Sequence, residues 1–186
     1  MNIAHIEETS LIYGPGIRFV IWTQGCSIRC KDCWNKEMWS FKTKNEILTD
    51  KLFENLTNEK IDIEGVTILG GEPFDQYEEL LTLIKKIRET NLSIILYTGY
   101  SLNELENENK TEILNFIDII ITDRYDKNYR TENGGLVGSS NQKIHFLTNR
   151  YSNVDLSKTN ESEISIDENG KIFIYGYKTN DLQQCI

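Results

Sequence analysis

A short loop rich in cysteine follows the apolar run Ile17–Trp22, and it reads Cys26-Ser27-Ile28-Arg29-Cys30-Lys31-Asp32-Cys33-Trp34-Asn35. Three thiolates at spacings of four and three residues can meet one soft metal centre from a single loop. The spacing matches neither the two separated Cys-x-x-Cys pairs of a zinc ribbon nor the four-cysteine run of bacterial ferredoxins. A cubane [4Fe–4S] cluster held by three cysteines keeps one iron open, and an open iron can bind a substrate or cofactor.

The missing fourth ligand leaves an alternative open. A structural zinc would need that ligand from His5, His145 or Cys185. A disulfide framework suits the layout less well, because three of the four cysteines crowd into one loop while Cys185 lies one residue from the end. The cysteine pattern therefore favours an iron–sulfur centre, with a structural zinc module as the alternative.

Composition limits the classes of function. The chain has 186 residues, is 39% hydrophobic and carries a net charge of −9, from 20 basic and 29 acidic side chains. Such a composition is typical of a globular protein of one domain. The negative charge disfavours nucleic-acid binding, which depends on basic side chains at phosphates. The apolar runs are shorter than the about 20 residues of a membrane span. Because residues 1–5 also lack the pattern of a signal peptide, we expect no membrane association and a cytoplasmic location.

Short β-branched runs alternate with stretches of helical period, which is typical of βα units and a parallel sheet. The predicted buried strands are Ile17–Trp22, Val66–Leu69, Ser93–Tyr97, Ile117–Thr122 and Lys143–Leu147. The chain is too short for a full eight-stranded barrel of about 250 residues, so the predicted fold is α/β, a partial, open (β/α) barrel of about five or six parallel strands. The cysteine loop should lie at the carboxyl edge of these strands.

Three helix starts are predicted between the strands. Thr43–Glu46 and Ser101–Glu104 fit the capping box, and Asp75 with Glu78 is a close relative of it. Beyond Asp75, one helix face collects the apolar residues Leu80, Leu81, Leu83, Ile84 and Ile87. We expect this face to be part of the core.

The segment after Tyr151 is polar at first and then alternates around an Asn-Gly turn at Asn169. Residues 163–167 and 171–175 predict the two strands of a β-hairpin. We assign residues 1–150 to the barrel domain and residues 151–186 to a C-terminal hairpin and tail of the same domain. Within that addition, Lys178–Ile186 is predicted to be a disordered tail.

Both prolines of the chain lie in glycine-rich turns. Gly14–Gly16 precedes the first predicted strand, and Gly70–Pro73 follows the second. Backbone without side chains at the carboxyl end of a parallel strand lets a ligand approach closely, and α/β proteins bind ligands at that end. Taken alone, Gly70–Pro73 is equally well explained as a tight turn from strand to helix.

The two motifs together are more specific than either alone. Cys-x3-Cys-x2-Cys after the first strand, with Gly-Gly-Glu-Pro after the second, resembles the radical S-adenosylmethionine (SAM) superfamily. Within it, the chain resembles the activating proteins of anaerobic ribonucleoside-triphosphate reductases, which are glycyl-radical-enzyme activases. The resemblance covers about residues 13–147, and its further shared segments are Gly14–Arg18, Trp22–Cys26, Tyr97–Tyr100 and Gly138–Gln142.

The resemblance implies a set of cofactor-binding residues. The ligands of a [4Fe–4S] cluster would be Cys26, Cys30 and Cys33. SAM would lie against the backbone of Asp32, Cys33 and Trp34. Its methionine amino group would be held by Gly70, Gly71 and Glu72, a role that suits an anionic side chain and exposed backbone groups. The same pocket would be lined by Tyr97 and Thr98.

The resemblance also implies a reaction. One electron, from a low-potential donor such as flavodoxin, would break the sulfonium bond of SAM and give methionine and a 5′-deoxyadenosyl radical. That radical would generate a glycyl radical on a partner enzyme, an anaerobic ribonucleotide reductase. The cofactor carries the difficult chemistry and the protein supplies ligation, orientation and exclusion of water, so no catalytic acid or base is expected.

Two positions depart from the family pattern, and two alternative functions stay open. Tyr13 stands where many glycyl-radical activases have Asp, and Asp123-Arg124 stands where reductase activators commonly have Asp-Gly. One alternative is a radical SAM enzyme that acts on a small molecule and is similar to carboxy-deazaguanine synthase, against which Gly138–Gln142 argues. The other is a non-enzymatic protein with a structural zinc.

Overall fold

A mixed sheet of seven strands, with helices between its central strands, forms the body of the fold. The computed structural model describes residues 1–57, 62–131, 135–156, 162–166 and 169–176. The strands of the sheet are β1 (Asn2–Ser10), β2 (Arg18–Thr23), β3 (Asn45–Glu46), β4 (Gly65–Gly70), β5 (Ser93–Tyr97), β6 (Ile119–Thr122) and β7 (Lys143–Phe146). The α-helices are α1 (Thr49–Leu56), α2 (Tyr77–Arg88) and α3 (Leu102–Asn107). Short 3₁₀ segments lie at Lys36–Met38, Pro73–Gln76, Thr111–Phe116 and Lys127–Tyr129.

The strand order across the sheet is β3-β1-β2-β4-β5-β6-β7. The neighbours β2, β4, β5 and β6 pair in parallel, and α1, α2 and α3 connect them in turn. β1 runs antiparallel to β2, β3 runs antiparallel to β1, and β7 runs antiparallel to β6. The α/β fold class is thus confirmed, and the four parallel strands bring their carboxyl ends to one edge.

The predicted number of parallel strands was wrong, because the sheet has four parallel strands and not five or six. Within the predicted run Lys143–Leu147, residues Lys143–Phe146 form the edge strand β7, which is antiparallel and partly exposed and not a buried parallel strand. A parallel return usually needs a helical crossover, whereas the described residues between β6 and β7 contain only the 3₁₀ segment Lys127–Tyr129. β1 was not predicted, because two register irregularities break its alternation.

The predicted helix starts had mixed outcomes. Ser101 and Glu104 form the capping box of α3, as predicted. Thr43–Glu46 starts no helix, because Asn45–Glu46 pairs with β1 instead. Asp75 does not cap α2, which begins after Gln76, because its carboxylate accepts hydrogen bonds from Ser27. The apolar face of α2 is buried as predicted, at Leu80, Leu81, Leu83, Ile84 and Ile87.

The two faces of the sheet are covered differently. One face packs against all three helices and forms the largest cluster of buried apolar residues. The other face carries smaller clusters, built around Ile95, Ile119 and Ile121 near β7 and around Val20 and Trp22 near β1. No helix in the described ranges is long and apolar enough to cross a membrane.

A fully buried arginine ties the amino end of β2 to β4 and β5. The Arg18 guanidinium donates to Thr67 Oγ1 at 3.0 Å, to Ser93 Oγ at 2.6 Å and to the Val66 carbonyl at 2.6 Å. The Tyr151 hydroxyl lies 3.3 Å from the same group. Each of these direct partners is neutral, and the nearby carboxylates of Glu64 and Asp118 also favour the charged form of Arg18.

The predicted C-terminal hairpin is confirmed by β8 (Ser162–Ile166) and β9 (Ile172–Gly176), which pair antiparallel. Asn169 and Gly170 lie in the connection, and Gly170 has a φ of +77°, the left-handed conformation that glycine adopts without strain. Residue 167 of the predicted strand, residue 168 of the predicted turn and the predicted tail Lys178–Ile186, with Cys185, lie outside the described residues.

We expect Arg18→Met to destabilise the metal-free protein by about 3 kcal/mol, because the substitution leaves a buried carbonyl and hydroxyls without their charged donor. Urea unfolding of the metal-free chain measures this loss. Arg150→Met is the matched control: the partly exposed Arg150 bonds to Glu64 and should cost about 1 kcal/mol or less. Equal losses in the two variants would contradict the assignment of Arg18 as a buried tie between strands.

Candidate metal centre

The loops that follow the four parallel strands line one cavity of about 560 Å³. The carboxyl ends of parallel strands are where α/β proteins place ligands. The cysteine loop follows β2, Gly71 and Glu72 follow β4, Thr98 and Gly99 follow β5, and Asp123 follows β6. All three cysteine side chains of the loop contribute to the cavity wall. The predicted cysteine and glycine motifs therefore meet at one edge of the sheet.

The cysteine loop turns sharply through two residues in the left-handed region. Arg29 has a φ of 50° and Asp32 a φ of 62°, conformations that non-glycine residues rarely adopt. The Cys33 N–H donates to the Cys30 carbonyl at 3.1 Å, which closes the turn between these two cysteines. The loop backbone thus directs successive thiols towards the same cavity instead of alternating them along a strand.

Hydrogen bonds to two neighbouring segments fix the amino-terminal end of this loop. The Gly25 N–H donates to the Met38 carbonyl at 2.8 Å, and the Gly25 carbonyl accepts from the Glu72 N–H at 2.8 Å. The Asp75 carboxylate accepts from the Ser27 N–H at 2.7 Å and from the Ser27 hydroxyl at 2.8 Å. The cysteine loop is therefore held directly by the turn that follows β4.

Glycine is required in that turn because the backbone approaches too closely for a side chain. A Cβ atom at Gly71 would lie 2.0 Å from the Gly25 carbonyl oxygen. Gly70 has a φ of +119°, and a Cβ atom there would lie 2.4 Å from the Thr23 nitrogen. Both glycines let β2 and β4 end side by side, which is a packing reason for the motif independent of any ligand.

The three cysteines of the loop differ in exposure, and none of them forms a disulfide bond. Cys26 is buried, while Cys30 and Cys33 are partly exposed. Burial raises the pKa of the Cys26 and Cys30 thiols, so these groups carry their protons in the metal-free chain at neutral pH. The Asn35 N–H donates to Cys33 Sγ at 3.4 Å, the kind of bond that tunes a metal-bound sulfur.

The donor set fits an iron–sulfur cluster better than a zinc ion. Within the described ranges, no three His, Cys, Asp or Glu side chains are grouped closely enough to hold a single metal ion. A cubane takes each thiolate on a different iron, so it suits thiols that are spread along one cavity wall. Both histidines are bonded elsewhere, His5 to the Tyr175 hydroxyl at 2.8 Å and His145 to the Thr122 hydroxyl at 3.0 Å.

Glu72 is a buried carboxylate at the base of the same cavity, with 1% of its surface exposed. Its oxygens accept from the Phe74 N–H at 3.0 Å, the Thr98 hydroxyl at 2.9 Å and the Gly99 N–H at 2.8 Å. Burial nevertheless raises the pKa of Glu72 to about 7, more than these three donors lower it. A carboxylate offers about four acceptor positions, and these hydrogen bonds occupy three of them.

Aromatic side chains enclose the cavity from two directions. Tyr97 is held by a hydrogen bond from its hydroxyl to the Leu136 carbonyl at 2.8 Å. The Trp34 indole N–H donates to the Tyr125 hydroxyl at 3.1 Å, and the Arg130 guanidinium lies 5.2 Å from the Trp34 ring centre. Trp34 thereby links the cysteine loop to the segment that follows β6.

The structure places nine of the ten predicted site residues on the cavity wall, namely Cys26, Cys30, Cys33, Trp34, Gly70, Gly71, Glu72, Tyr97 and Thr98. Asp32 is the exception, because it occupies the outer, left-handed turn of the loop. Sequence analysis missed several wall residues, among them His5, Tyr13, Leu136, Phe173 and Tyr175. The hairpin alternation was visible in the sequence, but nothing in it indicated which face meets the cavity.

Comparison with known proteins is consistent with this geometry. The sequence model of the family described as "4Fe-4S single cluster domain" matches residues 12–145. The anaerobic ribonucleoside-triphosphate reductase-activating protein of Haemophilus influenzae is 28% identical over 152 residues, which cover 78% of this chain and 97% of that protein. Proteins with the same name from Enterobacteria phage T4 and Escherichia coli K12 are 31% and 27% identical, over 77% and 79% of this chain and 93% and 99% of their own lengths.

We expect Gly71→Ala to destabilise the protein by about 2 kcal/mol or more, because its Cβ would overlap the Gly25 carbonyl and push the two loops apart. Gly138→Ala is the matched control. Its Cβ would meet two side chains and no backbone, the Tyr125 ring at 3.3 Å and Gln142 Oε1 at 3.6 Å, and side chains can shift. Urea unfolding should show a loss below about 1 kcal/mol for this control. Equal stability of Gly71→Ala and wild type would show that the close approach is not a constraint.

Proposed function

Because the chain belongs to the family of the anaerobic ribonucleoside-triphosphate reductase-activating proteins, we propose that it is a cytoplasmic radical SAM enzyme that generates a glycyl radical on an anaerobic ribonucleotide reductase. The observation that carries the proposal is the meeting of three thiols and the Gly70–Glu72 turn in one cavity. Neither motif alone would distinguish this function from a structural metal site or a plain turn.

Cys26, Cys30 and Cys33 hold the [4Fe–4S] cluster in this proposal. When bound, the cluster and SAM would supply one-electron cleavage of the sulfonium–C5′ bond, giving methionine and a 5′-deoxyadenosyl radical able to take a hydrogen atom from a glycine Cα of the partner. The electron comes from a low-potential donor such as flavodoxin. The chain's own part is to bind and orient the two groups and to exclude water.

The SAM pocket is assigned to residues beside the thiols. Glu72 accepts a hydrogen bond from the methionine ammonium group in addition to its three bonds within the chain, with the backbone of Gly70 and Gly71 close by. On the loop side, Cys33 and Trp34 border the cofactor, whereas the Asp32 backbone, expected from the sequence to do so, is not on the cavity wall. Tyr97 and Thr98 close the β5 side. A cavity of about 560 Å³ lies within the range of about 300–1,000 Å³ that is usual for small-molecule sites.

The proposal extends to the architecture. Helices on one face of the sheet and a ligand cavity at the strand ends support a partial, open (β/α) barrel, whose open side admits a macromolecular substrate. Residues 1–150 and 151–186 form one domain in this account. Its support is that Tyr151 packs in the cluster around Ile95 and that Tyr175 bonds to His5.

Replacing any one of the three loop cysteines with Ala should remove most of the bound iron and abolish SAM cleavage, because two thiolates hold a cubane poorly. Cys185→Ala is the matched control and should do neither. The measurement is the iron content after anaerobic reconstitution, together with the amount of 5′-deoxyadenosine formed. Loss of iron in the Cys185 variant, with full iron in a loop variant, would overturn the ligand assignment.

Glu72→Gln should spare the iron but weaken SAM binding roughly ten- to hundred-fold, the equivalent of a charge-assisted hydrogen bond of about 1.5–3 kcal/mol. Because the pKa of Glu72 is raised to about 7, wild-type affinity for SAM should increase from pH 6 to pH 8 as the carboxylate ionises. The variant should lack this increase. Titration by the cluster spectrum measures both effects.

Glu37→Gln serves as the control for this substitution, since Glu37 is an exposed carboxylate on the rim of the same cavity. Its SAM affinity and pH dependence should match those of the wild type. If Glu72→Gln also binds SAM with wild-type affinity at full iron content, Glu72 is only the residue that starts the Pro73–Gln76 turn.

A further inference from the structure

The C-terminal hairpin contributes to the wall of the cysteine cavity. Lys171, Phe173 and Tyr175 of the hairpin line the same cavity as the three cysteines and Glu72. This wall lies beside β1 and β2, on the side away from the segment that follows β6. The hairpin is thus part of the cavity and not a separate appendage.

Specific contacts hold the hairpin in this position. The Gly176 N–H donates to the Tyr13 hydroxyl at 3.2 Å, and the Tyr175 hydroxyl lies 2.8 Å from His5 Nε2. The Tyr175 ring stacks on Trp22 with centroids 5.7 Å apart, and Trp22 meets the Tyr13 ring edge-on at 5.2 Å. Aromatic pairs at these separations are stabilising beyond their buried area. The hairpin is therefore connected to β1, β2 and the segment between them through four rings, those of His5, Tyr13, Trp22 and Tyr175.

The orientation of the hairpin shows that it does more than complete the core. Cross-strand pairing places Ile164, Ile166, Ile172 and Ile174 together on one face. The first three are 54%, 65% and 47% exposed, whereas Ile174 is half-buried and reaches the cavity wall. The opposite face turns Phe173 and Tyr175 to the body. A hairpin that served only to bury apolar surface would turn its isoleucines inward. Here the aromatic face covers the cavity instead.

The hairpin also lies outside the part of the chain that the family shares. The family match ends at residue 145, before β8. The Escherichia coli relative is covered over 99% of its length by 79% of this chain, so that relative has few residues left for an equivalent hairpin. The wall is therefore a feature of this chain added to the shared centre.

We propose that the β8–β9 hairpin, fixed by Tyr13, His5 and Trp22, is a wall of the radical cavity that determines which peptide segment reaches the site. The segment that fits is narrow and extended and has glycine at its reacting position, because a glycine Cα carries no side chain to meet the aromatic wall. The identity of this ligand rests on the proposed function. The existence of the wall does not.

The wall is tested first in the metal-free protein, by alkylation of the loop thiols. Tyr13→Ala and Tyr175→Ala should each increase the rate at which N-ethylmaleimide modifies Cys26, Cys30 and Cys33 by about threefold or more, because a displaced hairpin opens the cavity. Peptide mass spectrometry reads each thiol separately. Hydrogen exchange in residues 162–166 and 169–176 should increase in parallel. Tyr129→Ala is the matched control, since Tyr129 is 56% exposed and lies outside the cavity wall.

The selective role is tested in the reconstituted enzyme with its reductase partner. Tyr13→Ala and Tyr175→Ala should both form more 5′-deoxyadenosine per glycyl radical than the wild type, because other hydrogen donors then quench the 5′-deoxyadenosyl radical. If the alkylation rates and the hydrogen exchange are unchanged in both variants, the hairpin is not a wall of the cavity. If alkylation is faster but the ratio of 5′-deoxyadenosine to glycyl radical is unchanged, the hairpin is a wall without a selective role. If the wild type does not cleave SAM at all, the proposed function fails while the alkylation result still decides the wall. Tyr175→Ala keeps the test valid if Tyr13→Ala does not fold.

Discussion

The carbonyl of Gly25 holds the candidate centre together. It accepts a hydrogen bond from the Glu72 N–H at 2.8 Å. A Cβ atom added at Gly71 would lie only 2.0 Å from its oxygen. Through this one contact, the loop that carries the cysteines and the turn that carries Glu72 share a fixed geometry. The parallel pairing of β2 and β4 brings the two segments together, and the absence of side chains at Gly70 and Gly71 lets them touch.

This contact matters for the chemistry of the site because Glu72 carries a buried carboxylate. Taking a carboxylate out of water costs several kcal/mol unless other groups compensate. Three donors at 2.8–3.0 Å supply part of that compensation, but burial outweighs them and raises the pKa of Glu72 to about 7. A cationic ligand beside Glu72 would complete it and favour the ionised form. The methionine ammonium and sulfonium groups of SAM are such cations, so the buried charge and the proposed cofactor support each other.

Much of this arrangement could be predicted from local sequence patterns, because it depends on local rules. The cysteine spacing, the apolar face of α2 and the Ser101–Glu104 cap each act within a few residues. The failures involve distant partners. Asp75 has the sequence context of a helix cap but bonds to Ser27, and Asn45–Glu46 becomes a strand only because β1 is beside it. Likewise, alternation predicted the hairpin, whereas its contact with Trp22 depends on tertiary packing.

Radical transfer to the reductase tests the central claim most directly. The reconstituted protein would be mixed anaerobically with SAM, a low-potential reductant and an anaerobic ribonucleotide reductase, and the frozen sample examined by electron paramagnetic resonance. This account predicts an organic radical on the reductase whose main hyperfine splitting collapses when its glycines are deuterated at Cα, together with formation of 5′-deoxyadenosine. Formation of 5′-deoxyadenosine without any radical on the reductase would contradict the claim and indicate a radical SAM enzyme with a different substrate.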